Sequence, residues 1–305
     1  MKFREATHND IPQILKVLKA SLGETSSKKT EEVWRYKHID NPFGESLVLV
    51  AEEEGEIVGV RAFMRWKWQK GDEVYSAFRA VDTATHPAHQ GKGIFKKLTL
   101  KALEIGKERG DHFVFNTPNS QSKPGYLKMG WEGVGKLKVH LRLLFPAKNI
   151  TVNHKVSGNL NDCRELLNSF YQRLKVTDRL YTPKDVAYIK WRYLNNPLQR
   201  YEVLIHKEYF IAGYVKARGK FSEFRLSEAI VSPGSKKAAK SAILELTKSS
   251  GAIILSISPN PGIIFKTGIS GNFGPALTFK SINLPQSHFS KLDLWFYSLG
   301  DLELF

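Results

Sequence analysis

The stretch Thr85–Glu104 reads THPAHQGKGIFKKLTLKALE. It begins as a strand end, turns at His86-Pro87, passes Gly91 and Gly93, and continues at helical spacing. Ile94, Leu98, Ala102 and Ile105 fall on one side, which predicts a helix over about 91–109. Lys92, Lys96, Lys97 and Lys101 lie between Gly91 and Leu103, and no acid does. A helix start is already electropositive, so acids are the ordinary choice there. The pattern fits a loop that holds an anion. Small residues let the backbone approach, and successive N–H groups at the helix start point at the ligand. A tight strand-to-helix turn also uses glycine, so the glycine pair alone does not decide.

Outward from this stretch the periodicity alternates. Ile11, Ile14, Leu15 and Leu18 make one helix face behind Asn9 and Asp10. SLVLVAE from Ser46 and IVGVRAFMRW from Ile57 read as strands joined by a Glu-Gly turn, and VYSAFRAVDTAT from Val74 pairs back through Lys70-Gly71-Asp72. DHFVFNT from Asp111 reads as a strand, a short helix runs to Met129, and WEGVGKLKVHLRLLF from Trp131 reads as one closing strand.

The chain then repeats itself. YKHIDNPFGESLVLVAEEEGEIVGVRA from Tyr36 resembles WRYLNNPLQRYEVLIHKEYFIAGYVKA from Trp191, with Pro42 and Pro197 155 residues apart. THPAHQGKG at Thr85 pairs with VSPGSKKAA at Val231, and TPNS at Thr117 with SPNP at Ser258. A repeat near half the chain argues for two copies of one fold, the second starting at Thr151 after Phe145-Pro146. Pro87 and Pro233 are 146 apart, whereas Asn119 and Asn260 are 141 apart, so the second copy lacks five residues in the region of Gln90–Gly93. What that loop does, one copy can do and the other cannot.

Composition sets outer bounds. The 305 residues suit two domains, and 42% hydrophobic with 25% charged content is ordinary for a globular protein. The charged start MKFREATHND does not read as a secretory leader, and no apolar run approaches a membrane span. A cytoplasmic location and no membrane association are expected. Cys163 is the only cysteine, which excludes an intrachain disulfide and a cysteine-based metal cluster, and no metal is expected. It reads as a buried small residue in a helix. The net charge of +16 is spread as +7 over residues 1–150 and +9 over 151–305. It suits an anionic partner without choosing one.

The loop motif resembles the pyrophosphate signature of the GNAT acyltransferase superfamily, Gln/Arg-x-x-Gly-x-Gly/Ala. Gln90 and Gly93 match it, and Phe95 departs from the small third residue. The family's second signature is met by Asn119, Ser122 in place of alanine, and Tyr126, followed by Lys128, Gly130 and Trp131. The resemblance covers residues 1 to about 145 in element order. It implies an α/β (α+β) fold of two tandem GNAT-like domains, each a mixed, mostly antiparallel central sheet flanked by helices. Residues 1–147 would hold the acetyl-CoA site, and 148–305 would be a degenerate copy lacking the loop.

The resemblance further implies acetyl transfer from acetyl-CoA, the cosubstrate, to a primary amine of a small molecule. An amino sugar is one candidate acceptor. Gln90, Gly91, Lys92, Gly93, Ile94 and Phe95 would take the pyrophosphate. Thr83, Ala84 and Thr85 would bond the pantetheine arm, Asn119 and Ser122 would border the cofactor, and Tyr126 would give the departing thiolate its proton. Asn119 and Tyr126, seven apart, are expected on one helix face. The family's glutamate base position falls on Ala77, which cannot serve; Asp82, His86 and His89 lie nearby in sequence. Asp301, Glu303 or the carboxylate of Phe305 could reach the amine site from the tail. Two other readings stay open. One is a Fem-type transferase drawing on aminoacyl-tRNA, which the Gln90–Gly93 loop disfavours, so no nucleic-acid partner is expected. The other is a non-catalytic CoA-binding protein.

Overall fold

The computed structural model describes residues 1–23, 28–145, 156–219, 221–259, 263, 265–285 and 287–302. The first half runs β1 (Lys2–Glu5), α1 (Ile11–Leu22), α2 (Glu31–His38), β2 (Leu47–Glu53), β3 (Glu56–Lys70), β4 (Glu73–Thr85), α3 (Ile94–Glu108), β5 (Phe113–Asn116), α4 (Lys123–Lys128), β6 (Glu132–Lys136) and β7 (Val139–Leu143). The second half begins with β8 (Val156–Ser157), α5 (Cys163–Lys175), β9 (Leu180–Tyr181) and α6 (Val186–Ile189), which continues into a π-turn over Lys190–Leu194. It goes on through β10 (Glu202–His206), β11 (Tyr209–Arg218), β12 (Phe221–Val231), α7 (Lys236–Ser249), β13 (Ile254–Ile257), β14 (Ile269–Gly271), β15 (Ala276–Ser281), β16 (Trp295–Phe296) and α8 (Leu299–Leu302). No described helix is long and apolar enough to cross a membrane.

Two mixed sheets result, and their orders match. The first is β1-β2-β3-β4-β5-β15-β6, with β9 and β16 added beside β3. The second, read in the same sense, is β8-β10-β11-β12-β13-β7-β14. The α/β class and the two sheets flanked by helices agree with the sequence reading. The sheets also exchange strands: β7 pairs with β13 and β14, and β15 inserts between β5 and β6. The stretch from Trp131 is therefore not one closing strand. It breaks at Leu137, whose backbone turns aside to bond Gly274 and Pro275, and each piece then joins a different sheet. The proposed start of the second copy at Thr151, with Pro146 before it, lies outside the described residues, as does Asn260.

One core lies between the sheets and draws on both halves, with Trp66, Trp68, Tyr188 and Trp295 among its fully buried rings. Truncating such a ring costs about 3–5 kcal/mol. Two smaller clusters fill the outer faces, one beneath α3 and α4, the other beneath α7. Cys163 is buried at the start of α5, as its sequence context suggests.

Candidate active site

The site begins with a parting of strands. β4 pairs with β3 along its whole length to Thr85, but β5 meets it only at Ala77, Phe78 and Arg79. From Ala80 onward the second edge of β4 is free of β5, so its N–H and C=O groups can bond an extended ligand. A bulge lies at the opening. Arg61 faces Thr83 and Ala62 faces Val81, which leaves Asp82 unpaired at a φ of 29°.

Helix α3 starts at Ile94, not at 91, because Gly91 and Gly93 both take left-handed φ values of 79° and 72°. A Cβ on either glycine would meet nothing within 4 Å. Packing therefore does not demand the glycines; their backbone conformation does, and the space over them is open. The first N–H groups of a helix lack intrahelical partners, so this end offers donors to an anion. A cleft of about 470 Å³ lies here. Thr83, Ala84 and Thr85 line it from the strand end, and Gln90, Gly91, Gly93, Ile94 and Phe95 from the loop and helix. Ser21 and His89 complete the wall; Ser21 carried no sequence signal.

The lysines behave differently from the sequence reading. Lys92 sits 3.4 Å from Glu53 and 3.3 Å from His89. Lys97 lies over the Phe3 ring, and Lys101 donates to Phe3 O at 2.7 Å. One or two turns into the helix, these last two serve the packing of β1 rather than the loop. At this loop the backbone amides are freer to meet an anion than the ammonium groups of Lys97 and Lys101 are.

Asn119 and Tyr126 do not share a helix face. Asn119 Oδ1 accepts from the Ser122 amide and hydroxyl, both at 2.9 Å, which forms a turn before α4 begins at Lys123. Tyr126 is buried against Phe95, with ring centroids 5.7 Å apart, and against Trp131 at 5.2 Å. The Phe95 ring thus points inward, which leaves its amide at the helix start unobstructed. Asn119, Ser122 and Tyr126 do not line the cleft; Tyr126 borders it through Phe95.

A buried polar cluster backs the bulge. Lys37 forms an ion pair with Asp82, and His38 Nε2 lies 3.0 Å from the same carboxylate oxygen. A carboxylate only accepts, so Nε2 donates to it and Nδ1 accepts from Ser46 Oγ at 2.9 Å. Burial pushes the imidazole below its ordinary 6.5, and Asp82 offsets this only in part. Burial alone would raise the Asp82 carboxyl, but Lys37 and His38 outweigh it and hold it well below the carboxylate range. Sequence reasoning named Asp82 and missed Lys37 and His38, because α2 presents them within an ordinary charged run. His86 accepts from the Ala88 amide at 3.3 Å, and His89 lies 3.0 Å from Glu53. Ala77 is fully buried where β4 and β5 are still paired.

The second sheet parts at the matching place, since β13 meets β12 only at Glu223–Leu226. There the connection from strand to helix covers only 232–235, against 86–93 in the first half. Helix α8 fills the parting. A Cβ on Gly300 would lie 2.2 Å from Tyr193 Oη and 3.1 Å from Ser227 O. Asp301 does not offer its carboxylate to the first site. That group is buried, 2.9 Å from the Lys184 ammonium and 2.8 Å from the Ser298 amide, and only the carbonyl of Asp301 accepts from Arg79, at 3.1 Å. Thr117 Oγ1 donates to Leu302 O at 3.5 Å. Glu303 and the carboxylate of Phe305 lie outside the described residues.

Strand parting, bulge, glycine loop and helix start fall within one family profile, described as Acetyltransferase (GNAT) domain, which matches residues 2–134. Over residues 2–134 the chain is therefore similar to the GNAT acetyltransferases. An L-methionine sulfoximine/L-methionine sulfone acetyltransferase of Salmonella typhimurium is 35% identical to this chain over 75 residues. An L-amino acid N-acyltransferase of Escherichia coli is 30% identical over 79 residues. Each match covers 25% of this chain and only 42% of the relative's length. In overall fold the chain is similar to a GCN5-related N-acetyltransferase from Anabaena variabilis, at a TM-score of 0.66 and 14% identity. That likeness covers 92% of this chain and 73% of the other, so the GNAT-like fold extends beyond the profile match.

Proposed function

We propose that the protein transfers an acetyl group from acetyl-CoA to a primary amine of a small molecule, using the first-half cleft. The observation that carries this reading is the lining of that cleft. Eight of the residues named from the family signatures meet around one open space of about 470 Å³. Two glycines in it have room above them for a ligand. The amides from Gly91 to Phe95 would hold the pyrophosphate, and the free edge at Thr83, Ala84 and Thr85 would bond the pantetheine arm. Acetyl-CoA supplies an activated acyl thioester. Tyr126, which borders the cleft through Phe95 rather than lining it, would turn its hydroxyl toward the departing sulfur when acetyl-CoA is bound and donate its proton there. With Ala77 in the family's base position, the amine's proton would leave through water in the cleft.

Residues 148–305 are read as the degenerate copy. Their short 232–235 connection and the seated α8 both support a structural role. Both named relatives are described as acting on amino acids or their analogues, which supports an α-amine as a candidate acceptor beside an amino sugar. Screening amino acids, amino sugars and polyamines for amine-dependent release of the CoA thiol tests the proposal. Release with at least one class is expected. CoA binding with no release from any acceptor would leave a CoA-binding protein instead.

A further inference from the structure

Arg61 lies in the middle of β3, fully buried on the face covered by α3 and α4. None of its three side-chain nitrogens has a hydrogen-bond partner among the described residues. Three rings wall it in. Its Cζ lies 4.8 Å from the centroid of Phe63, 5.5 Å from Phe95 and 5.3 Å from Tyr126. The rings return part of the lost hydration through cation–π attraction. A guanidinium buried without a counter-ion still opposes folding, and such groups call for a reason outside packing.

The surroundings supply one. Phe95 lines the cleft, as does Thr83, the strand partner of Arg61. Tyr126 is the proton donor of the proposed reaction. Phe95 also stands where the family signature has Gly or Ala, and a small residue there would remove one wall of the cage. The departure at Phe95 and the unpaired arginine therefore explain each other: the ring keeps water from the charge, so its field is little screened.

We propose that Arg61 is a positioning residue for thioester cleavage, its uncompensated charge behind Tyr126 favouring the negative charge that develops on the CoA sulfur. The idea rests on the acetyl-CoA reading above. In that reaction the amine nitrogen forms the new C–N bond and loses one proton to water. The C–S bond breaks with its electron pair on sulfur. The sulfur takes the Tyr126 hydroxyl proton, which solvent then restores. Arg61 exchanges nothing with the substrate and acts through its field. A contribution of about tenfold in rate, about 1.4 kcal/mol, is the scale expected for one such charge.

The full chain with Arg61→Met, beside Arg61→Lys, tests this with three readouts. These are the thermal midpoint, the kcat and KM for acetyl-CoA, and the ultraviolet titration of the thiol in bound free CoA. Arg61→Met is expected to melt no lower than wild type. Its kcat should fall about tenfold with KM nearly unchanged, and bound CoA should need about one pH unit more to ionise. Arg61→Lys should keep most of the wild-type kcat and thiol titration. A lower midpoint with unchanged kcat and thiol titration would make Arg61 a packing residue. Failure of Arg61→Met to fold would overturn the proposal too, since it would show the buried guanidinium to be stabilising. If wild type binds no CoA, this proposal and the reading beneath it fall together; if CoA binds and its thiol titrates alike in all three proteins, this one falls alone.

Discussion

Replacing Lys184 by methionine removes the cation at the centre of the second half's buried cluster. Its ammonium lies 2.5 Å from Glu228, 2.9 Å from Asp301 and 3.2 Å from Ser298 Oγ, and all three charged side chains are 5% exposed or less. Burial alone would make the lysine easier to deprotonate, but Asp301 and Glu228 outweigh that and hold it charged. Methionine fills similar volume, so little packing is lost. What remains is two carboxylates facing each other out of water. Breaking a buried ion pair from one side costs about 3–5 kcal/mol. At about 2–4 °C per kcal/mol for a unit of this size, the melting midpoint should fall by roughly 6–20 °C. Scanning calorimetry at pH 7.5 reads this directly. Adding Glu228→Gln and Asp301→Asn to Lys184→Met should restore most of the loss, because the uncompensated charges are then gone. A fall below about 2 °C for Lys184→Met, less than one kcal/mol on the same scale, would show that the cluster is not held by its lysine. The same scan bears on the site, because this cluster pins α8, whose carbonyls reach Arg79 and Thr117 beside the strand parting.

Tyr126→Phe should lower kcat by on the order of 10²–10⁴ and leave KM for acetyl-CoA nearly unchanged. Stability should hold, since the ring keeps its contacts with Phe95 and Trp131; steady-state kinetics showing a loss under about threefold, short of that range, would make Tyr126 a packing residue. His38 predicts an acid-sensitive fold. Its folded pKa is depressed below 6.5, so under that pH the unfolded chain takes a proton that the folded chain refuses. Stability should therefore fall as pH drops below 6.5, by up to about 1.4 kcal/mol per pH unit. His38→Gln should flatten that slope in thermal scans, and equal slopes for the two proteins would refute the assignment. The depressed Asp82 carboxyl acts in a separate window, with its stabilisation complete above 3.8 and lost as pH falls below it.

Local and periodic features were legible in the sequence. The glycine loop, the α3 face and the Pro87/Pro233 offset each depend on neighbouring residues, and the structure repeats them as two sheets of one order. The strand exchange was not legible. β7 and β15 carry short patterns that suit either sheet, and only the distant contacts of Leu137 with Gly274 and Pro275 decide between them. Spacing misled where a turn interrupts a helix, as between Asn119 and Tyr126. Charge misled where a lysine is drawn to a distant backbone, as Lys101 is to Phe3. Arg61, Lys37 and His38 were missed for one physical reason: a charged residue in an amphipathic pattern reads as surface, and nothing local marks it as buried.

Calorimetric titration of the full chain with CoA tests the central claim most directly. One site per chain is predicted, because the second half has the shorter 232–235 connection and α8 fills its parting. Gly93→Glu should abolish that binding, since it puts a side chain and a negative charge into the space over the helix start, and circular dichroism should confirm the fold intact. Two equivalent sites, or undiminished binding by Gly93→Glu, would contradict the account.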